Sequence, residues 1–142
     1  KPWGRVKADV YMPCATQNEI GLEDAKRMIE EGTSKLLIEV ANMPTKAEAV
    51  EELQKAGFMI APSKAVNAGG VAVSALEMSQ NAMKLSWTEE EVDEKLKKIM
   101  KNIFNNIDGA AKKYGMDGNL IAGANIAGFL KVAEAMLNEG IF

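Results

Sequence analysis

The chain has 142 residues, 47% of them hydrophobic and 26% charged, with 17 basic side chains, 20 acidic ones and no histidine. That profile suits one ordinary globular domain, and a net charge of −3 gives no electrostatic ground for a nucleic-acid or anionic-membrane partner. The single cysteine, Cys14, excludes an internal disulfide and suits a reducing, cytoplasmic setting, and without histidine any general base must be a carboxylate, a lysine or that thiol.

In chain order, the first element is VKADVYM. It alternates in part and stops at Pro13, which predicts a strand over Val6–Met12. GLEDAKRMIEEG, residues 21–32, is acidic at its start and closes on Gly32, the pattern of a helix with a glycine after its last turn. KLLIEV predicts a second strand over Lys35–Val40. Thr45-x-x-Glu48 reads as a capping box opening a helix that closes at Gly57. FMIAP predicts a third strand over Phe58–Ala61, ended by Pro62. Strands alternating with helices of this length imply a parallel sheet joined by right-handed crossovers.

Beyond residue 68 the pattern is helical throughout. One helix is predicted over 69–85. The next opens at a second capping box, Thr88-x-x-Glu91, with Trp87 and Val92 placed as a hydrophobic staple. Its apolar stripe runs Val92, Leu96, Ile99, Ile103, Ile107, Ala111, and it should end near Tyr114–Gly115. A last helix covers Ile121–Asn138. Its early small residues, Gly123, Ala124, Ala127 and Gly128, weaken it alone and permit close approach to a neighbour.

The expected fold is therefore α/β: a partial Rossmann-like, three-layer domain with a parallel sheet of about three strands, followed by three C-terminal helices. Residues 1–142 form one domain, with 1–68 as a βαβαβ half and 69–142 as a helical closing segment. No uninterrupted apolar run reaches the about 18 residues of a membrane span. The Lys1-Pro2 start, without a methionine, leads us to expect a processed product or a piece of something longer.

In open parallel sheets, ligands sit beyond the carboxyl ends of the strands. Here those ends read PCATQNE, ANMPT and APSKAVNAGG. They supply Thr16, Gln17 and Asn18, then Asn42 and Thr45, then Ser63, Asn67 and the pair Gly69–Gly70. Together these make a polar, uncharged rim suited to a neutral ring, a ribose or a carboxamide. Each residue also has a plain structural reading. Asn42 and Asn67 can be turn residues bonding their own backbone. Thr45 reads better as a cap than as a ligand contact. The glycine pair can be a turn, and Ser74 can bond back to the carbonyl of residue 70. Cys14 has no histidine to activate it as a nucleophile. No GxGxxG and no GxxxxGK[ST] occurs. Val71, Ser74, Ala75 and Met78 share one helix face that begins at the rim, giving an apolar wall with one hydrogen-bonding group.

The runs PCATQNE, ANMPT, APSKAVNAGGVAVS, LEMSQN, LSWTEEEVD and AGANIAGFLKVAEAM carry more than this. Over essentially the whole chain, and in this order, they resemble glutamate dehydrogenase of the hexameric bacterial NADP-linked type. The wider family includes the leucine, phenylalanine and valine dehydrogenases. The resemblance implies a C-terminal part of the nucleotide-binding domain, with residues 1–68 as its nicotinamide-side half. It implies that the substrate domain with its catalytic lysine and aspartate, the glycine-rich pyrophosphate turn and the strand end that separates NAD from NADP lie outside these residues. No catalytic residue is then expected in this chain, nor any metal ligand.

Carried over by position, the resemblance places cofactor contacts at Ala15, Thr16, Gln17, Asn42 and Asn67. It places substrate contacts at Val71, beside the glutamate side chain, and at Ser74, on its γ-carboxylate. The implied activity is reversible oxidative deamination of L-glutamate to 2-oxoglutarate and ammonia with NADP(H), NAD being the alternative cofactor. A homo-hexamer and an N-terminal substrate domain are the implied partners, and the chain by itself is expected to be inactive. One departure is Val40, where the family commonly has glycine before ANMP. The rival readings are a non-catalytic nucleotide-binding or interaction module of the same fold, and a helical assembly domain, which would need the 88–114 stripe exposed.

Overall fold

A computed structural model describes residues 1–140. Its elements are α1 (Leu22–Glu31), β1 (Leu36–Ile38), α2 (Ala47–Lys55), β2 (Met59–Ala61), α3 (Ser63–Val66), α4 (Ala68–Met83), α5 (Glu89–Lys113) and α6 (Leu120–Glu139). The two strands pair in parallel, with Leu36, Leu37 and Ile38 opposite Met59, Ile60 and Ala61. Alternation along the strands sends Leu37 and Ile60 to one face. There they join Trp3, Tyr11, Ile20, Ala25 and Met28 of the N-terminal segment and α1, and Ala49 and Leu53 of α2. On the other face Ala61 packs against a second cluster built from Ala65, Ile107, Leu120 and Ala124. Helices thus cover both faces of the sheet.

The first predicted strand, Val6–Met12, is a correction. The segment does lie beside β1, but only as a single parallel bridge, Tyr11 to Leu37. The Tyr11 N–H donates to Leu36 O at 3.0 Å and the Ile38 N–H to Tyr11 O at 2.9 Å. The ladder stops on both sides for identifiable reasons. Towards the N-terminus, the Ser34 hydroxyl steps between the chains: it donates to Asp9 O at 2.7 Å and accepts the Leu36 N–H at 3.0 Å. Towards the C-terminus, the next pairing position is Pro13, which has no N–H to give. Its carbonyl still accepts from Val40 N and Ala41 N.

The helix starts divide in the same way. Thr88 caps α5 as expected: its hydroxyl accepts the Glu91 N–H at 3.3 Å, and Glu91 Oε2 accepts the Thr88 N–H at 2.7 Å. The box predicted at Thr45 does not form. Thr45 is drawn into a parallel bridge with Ile20, so α2 starts one residue later, with Lys46 as its cap residue and no side-chain cap. The Thr45 hydroxyl is buried without a partner. Gly32 closes α1 in the left-handed conformation, at φ 71°. The short α3 was not expected from the sequence.

The stripe of α5 is at least half-buried at every position from Val92 to Ala111. It meets α4 at Gly69, where an added Cβ would stand 3.4 Å from Met100 Sδ. It meets α6 at Gly123, where an added Cβ would stand 2.1 Å from Ile107 O. This covered stripe removes the ground for the helical assembly reading. The far half of α6 is different: Phe129, Val132, Met136 and Leu137 are exposed. With a mean hydropathy of 1.5, α6 is long and apolar enough to cross a membrane by length and composition. It also carries Lys131 and Glu134, and its first turns are buried against α5.

Candidate functional site

Beyond the carboxyl ends of the Tyr11 bridge, β1 and β2 lies a cleft of about 700 Å³. Backbone bonds draw its loops together. The Asn18 N–H reaches Met43 O at 2.9 Å, the Ile20 N–H reaches Pro44 O at 2.9 Å, and Val40 and Ala41 both donate to Pro13 O. The loop after β1 and the junction of α3 with α4 are then tied by side chains. Asn67 Nδ2 donates to Asn42 Oδ1, and the Met43 N–H donates to Ser63 Oγ at 3.4 Å. Two non-glycine residues in these loops, Asn18 and Met43, hold positive φ values of 56° and 44°.

The lining is Cys14, Ala15, Gln17, Val40, Ala41, Asn42, Asn67, Gly70, Val71 and Ser74. None of these side chains is charged, which matches the uncharged rim expected from the strand ends. Ala15, Gln17, Asn42, Asn67, Val71 and Ser74 converge here. Thr16 does not reach the lining; its N–H faces Glu19 Oε2 at 3.5 Å. Thr45, considered for the rim, is buried beneath it. The glycine pair is not a turn. Both residues lie in the first turn of α4: Gly69 makes the contact with α5, and Gly70 opens to the cleft, with no atom within 4 Å of where its Cβ would be. Ser74 Oγ donates to Gly70 O at 3.2 Å, the back-bond anticipated for a mid-helix serine. Val71 beside it is 74% exposed.

Val40 and Ala41 line the cleft without having been expected there, whereas Ser63, expected on the rim, lies outside this lining. The signal for the first two was their place directly after a strand. Cys14 also lines the cleft, exposed, with its thiol donating to Met12 O at 3.3 Å. Among the described residues, no cluster of side chains could hold a metal ion.

The residues present suit a bound nicotinamide nucleotide. Asn42 Oδ1 is occupied by Asn67, which leaves the Asn42 amide as a donor and Asn67 Oδ1 as an acceptor, side by side. Ala15, Val40 and Val71 provide apolar walls, and the volume falls in the range of small-molecule sites.

Comparison with known proteins gives the family of the chain. The family model for Glutamate/Leucine/Phenylalanine/Valine dehydrogenase matches residues 1–140. The NAD-specific glutamate dehydrogenase of Clostridium symbiosum is 56% identical over 99% of this chain, which covers 31% of that relative. The NADP-specific glutamate dehydrogenase of Giardia intestinalis is 54% identical over 99% of the chain, again covering 31% of the relative. The crystal structure of Plasmodium falciparum glutamate dehydrogenase superposes with a TM-score of 0.91 at 50% identity, over 99% of this chain and 30% of that one. The chain thus spans under a third of the length of these relatives. On the family match and these identities, the chain belongs to the Glutamate/Leucine/Phenylalanine/Valine dehydrogenase family.

Proposed function

We propose that this chain is the nicotinamide-side, C-terminal portion of an enzyme that interconverts L-glutamate with 2-oxoglutarate and ammonia by hydride transfer to NADP. The observation that carries the reading is the Asn42–Asn67 pair in an uncharged cleft. A primary carboxamide offers one carbonyl acceptor and one NH₂ donor, the complement of the free Asn42 amide and the free Asn67 Oδ1. Ala15 and Gln17 line the same cleft, where the ring and its ribose would rest; the expected contact at Thr16 would require its N–H to leave Glu19.

When bound, the nicotinamide supplies or accepts the hydride. The residues of this chain bind and orient. Val71 presents an apolar face to the substrate's methylenes. Ser74 would turn its O–H from Gly70 O towards the γ-carboxylate, exchanging a bond to a neutral carbonyl for a stronger bond to a charged group. The catalytic lysine and aspartate belong to the substrate domain, so the chain alone is expected to be inactive. The exposed apolar residues of α6 suit packing against that domain across the hinge that closes the cleft. Assembly as a homo-hexamer and a cytoplasmic location belong to the same reading.

NAD remains the second reading for the cofactor. NAD- and NADP-specific relatives are nearly equally similar, at 56% and 54% identity, so similarity over this chain does not choose between the two cofactors. The test is reconstitution. The purified chain should give no glutamate-dependent NADPH formation, and the same residues joined to a substrate domain and a pyrophosphate-binding half should. Activity of the chain alone would overturn the assignment of its chemistry to the missing part. The rival, a non-catalytic binding module, would be favoured if the encoding reading frame held no such domain upstream.

A further inference from the structure

We infer that Glu39 and Ser63 are positioning residues that set the Asn42–Asn67 pair, an inference that rests on the reading of the cleft given above. Neither side chain lines the cleft. Ser63 is nevertheless where its two halves meet. Its hydroxyl accepts the Met43 N–H at 3.4 Å, next in the chain to Asn42. Its carbonyl accepts the Asn67 N–H at 2.9 Å. Its own N–H is held by Glu39 Oε2 at 3.1 Å. One residue therefore holds the backbone of Asn67 and of Met43, the neighbour of Asn42, and one carboxylate fixes that residue.

The placement of the carboxylate is unusual. Glu39 directly follows β1 and is 7% exposed, a position where a strand end ordinarily takes an apolar side chain. Burying a carboxylate is unfavourable unless it is well paired. Its recorded partner is not a cation but the N–H that begins α3. Glu39 N itself donates to Ala61 O at 3.0 Å, so the same residue joins the ends of β1 and β2 through its backbone and its side chain. Met43 shows what the anchor restrains. Its φ of 44° is unfavourable for a side chain of this kind, and the bond to Ser63 is one of the two that hold it, with Asn18 N on Met43 O as the other.

The test is made on the 142-residue chain by amide NMR, without any ligand. Four variants are compared: Glu39→Ala, Glu39→Gln, Ser63→Ala and, as a control away from the network, Thr88→Ala. Paired carboxamides give side-chain NH₂ resonances shifted from those of free asparagine. The expected result is that Ser63→Ala and Glu39→Ala move the Asn67 side-chain resonances towards free values, while Glu39→Gln, whose amide carbonyl can still accept the Ser63 N–H, restores them. Thr88→Ala should leave them in place. If Glu39→Ala fails to fold, Ser63→Ala against Glu39→Gln decides alone. Asn67 resonances unmoved in Ser63→Ala would overturn the inference. So would shifts spread evenly over the whole sheet, which would make the network mere fold support. In the longer enzyme, Ser63→Ala should raise KM for the nucleotide about tenfold with little change in kcat at saturation. Absence of nucleotide binding by the unaltered protein would count against the cofactor reading alone and would leave the NMR result standing.

Discussion

Asn67 donates its side-chain amide to the side-chain carbonyl of Asn42, and this bond joins the α3–α4 junction to the loop after β1, 25 residues apart in the chain, at the cleft. The two amides therefore act as one recognition unit. Asn42→Ala and Asn67→Ala should each weaken nicotinamide-nucleotide binding in the longer enzyme. The double variant should lose less than the sum, with a coupling of about 0.5–3 kcal/mol. Isothermal titration of the four proteins measures it; strict additivity would mean that the pair does not act jointly.

Helix α6 approaches α5 so closely at Gly123 that a methyl group there would meet the Ile107 carbonyl. Gly123→Ala should destabilise the chain by about 1–3 kcal/mol through overpacking. Gly128→Ala, one turn further along and open, should instead be neutral or stabilising by up to about 1 kcal/mol, from helix propensity. Chemical denaturation of both variants checks the contrast.

Thr88 and Thr45 stand in the same sequence pattern but do different things. Thr88→Ala removes a working cap and should cost about 1 kcal/mol. Thr45→Val replaces a buried, unpartnered hydroxyl and should be neutral or mildly stabilising. Equal losses from the two changes would show that Thr45 caps α2 after all.

Asp24 gives the fold an acid limb. Burial pushes its carboxyl up, but the Gly21 N–H and the charges of Lys1 and Arg27 outweigh this and hold it below the ordinary range. A folded-state value below the unfolded one stabilises the protein above about pH 4, and that contribution is lost as pH falls through the folded value. Asp24→Asn should therefore have a lower Tm than the parent at neutral pH, and the gap should close on acidification. A gap independent of pH would remove the charge from the explanation.

These contrasts mark what could be read from the residues. The α5 stripe, its Thr88 cap and the Gly32 stop were legible because each depends on neighbours within a turn or two of the same helix. The misreadings came where a tertiary partner intervened. The Val6–Met12 strand shrank to one bridge because Ser34, from a different segment, took the next pairing site, and because Pro13 closed the other. The Thr45 box gave way to a bridge with Ile20. Of the residues named from the strand-end rule and the family resemblance, Ala15, Gln17, Asn42, Asn67, Val71 and Ser74 line one cleft. Thr16 falls outside the lining, with its backbone N–H donated to Glu19 Oε2. Ser63 and Glu39 were not legible as a pair, because their link spans 24 residues and passes through a backbone N–H that no side-chain pattern reveals.

The division of labour along α4 is tested most directly by steady-state glutamate oxidation in the longer enzyme, with Ser74→Ala and Asn67→Ala made separately. Ser74→Ala should lower kcat/KM for glutamate about 10- to 100-fold, the loss of one hydrogen bond to a charged group, and leave KM for NADP near its original value. Asn67→Ala should do the reverse, raising KM for NADP first. Unchanged kcat/KM for glutamate in Ser74→Ala, together with unchanged KM for NADP in Asn67→Ala, would contradict the assignment of this cleft to the nicotinamide and the substrate carboxylate.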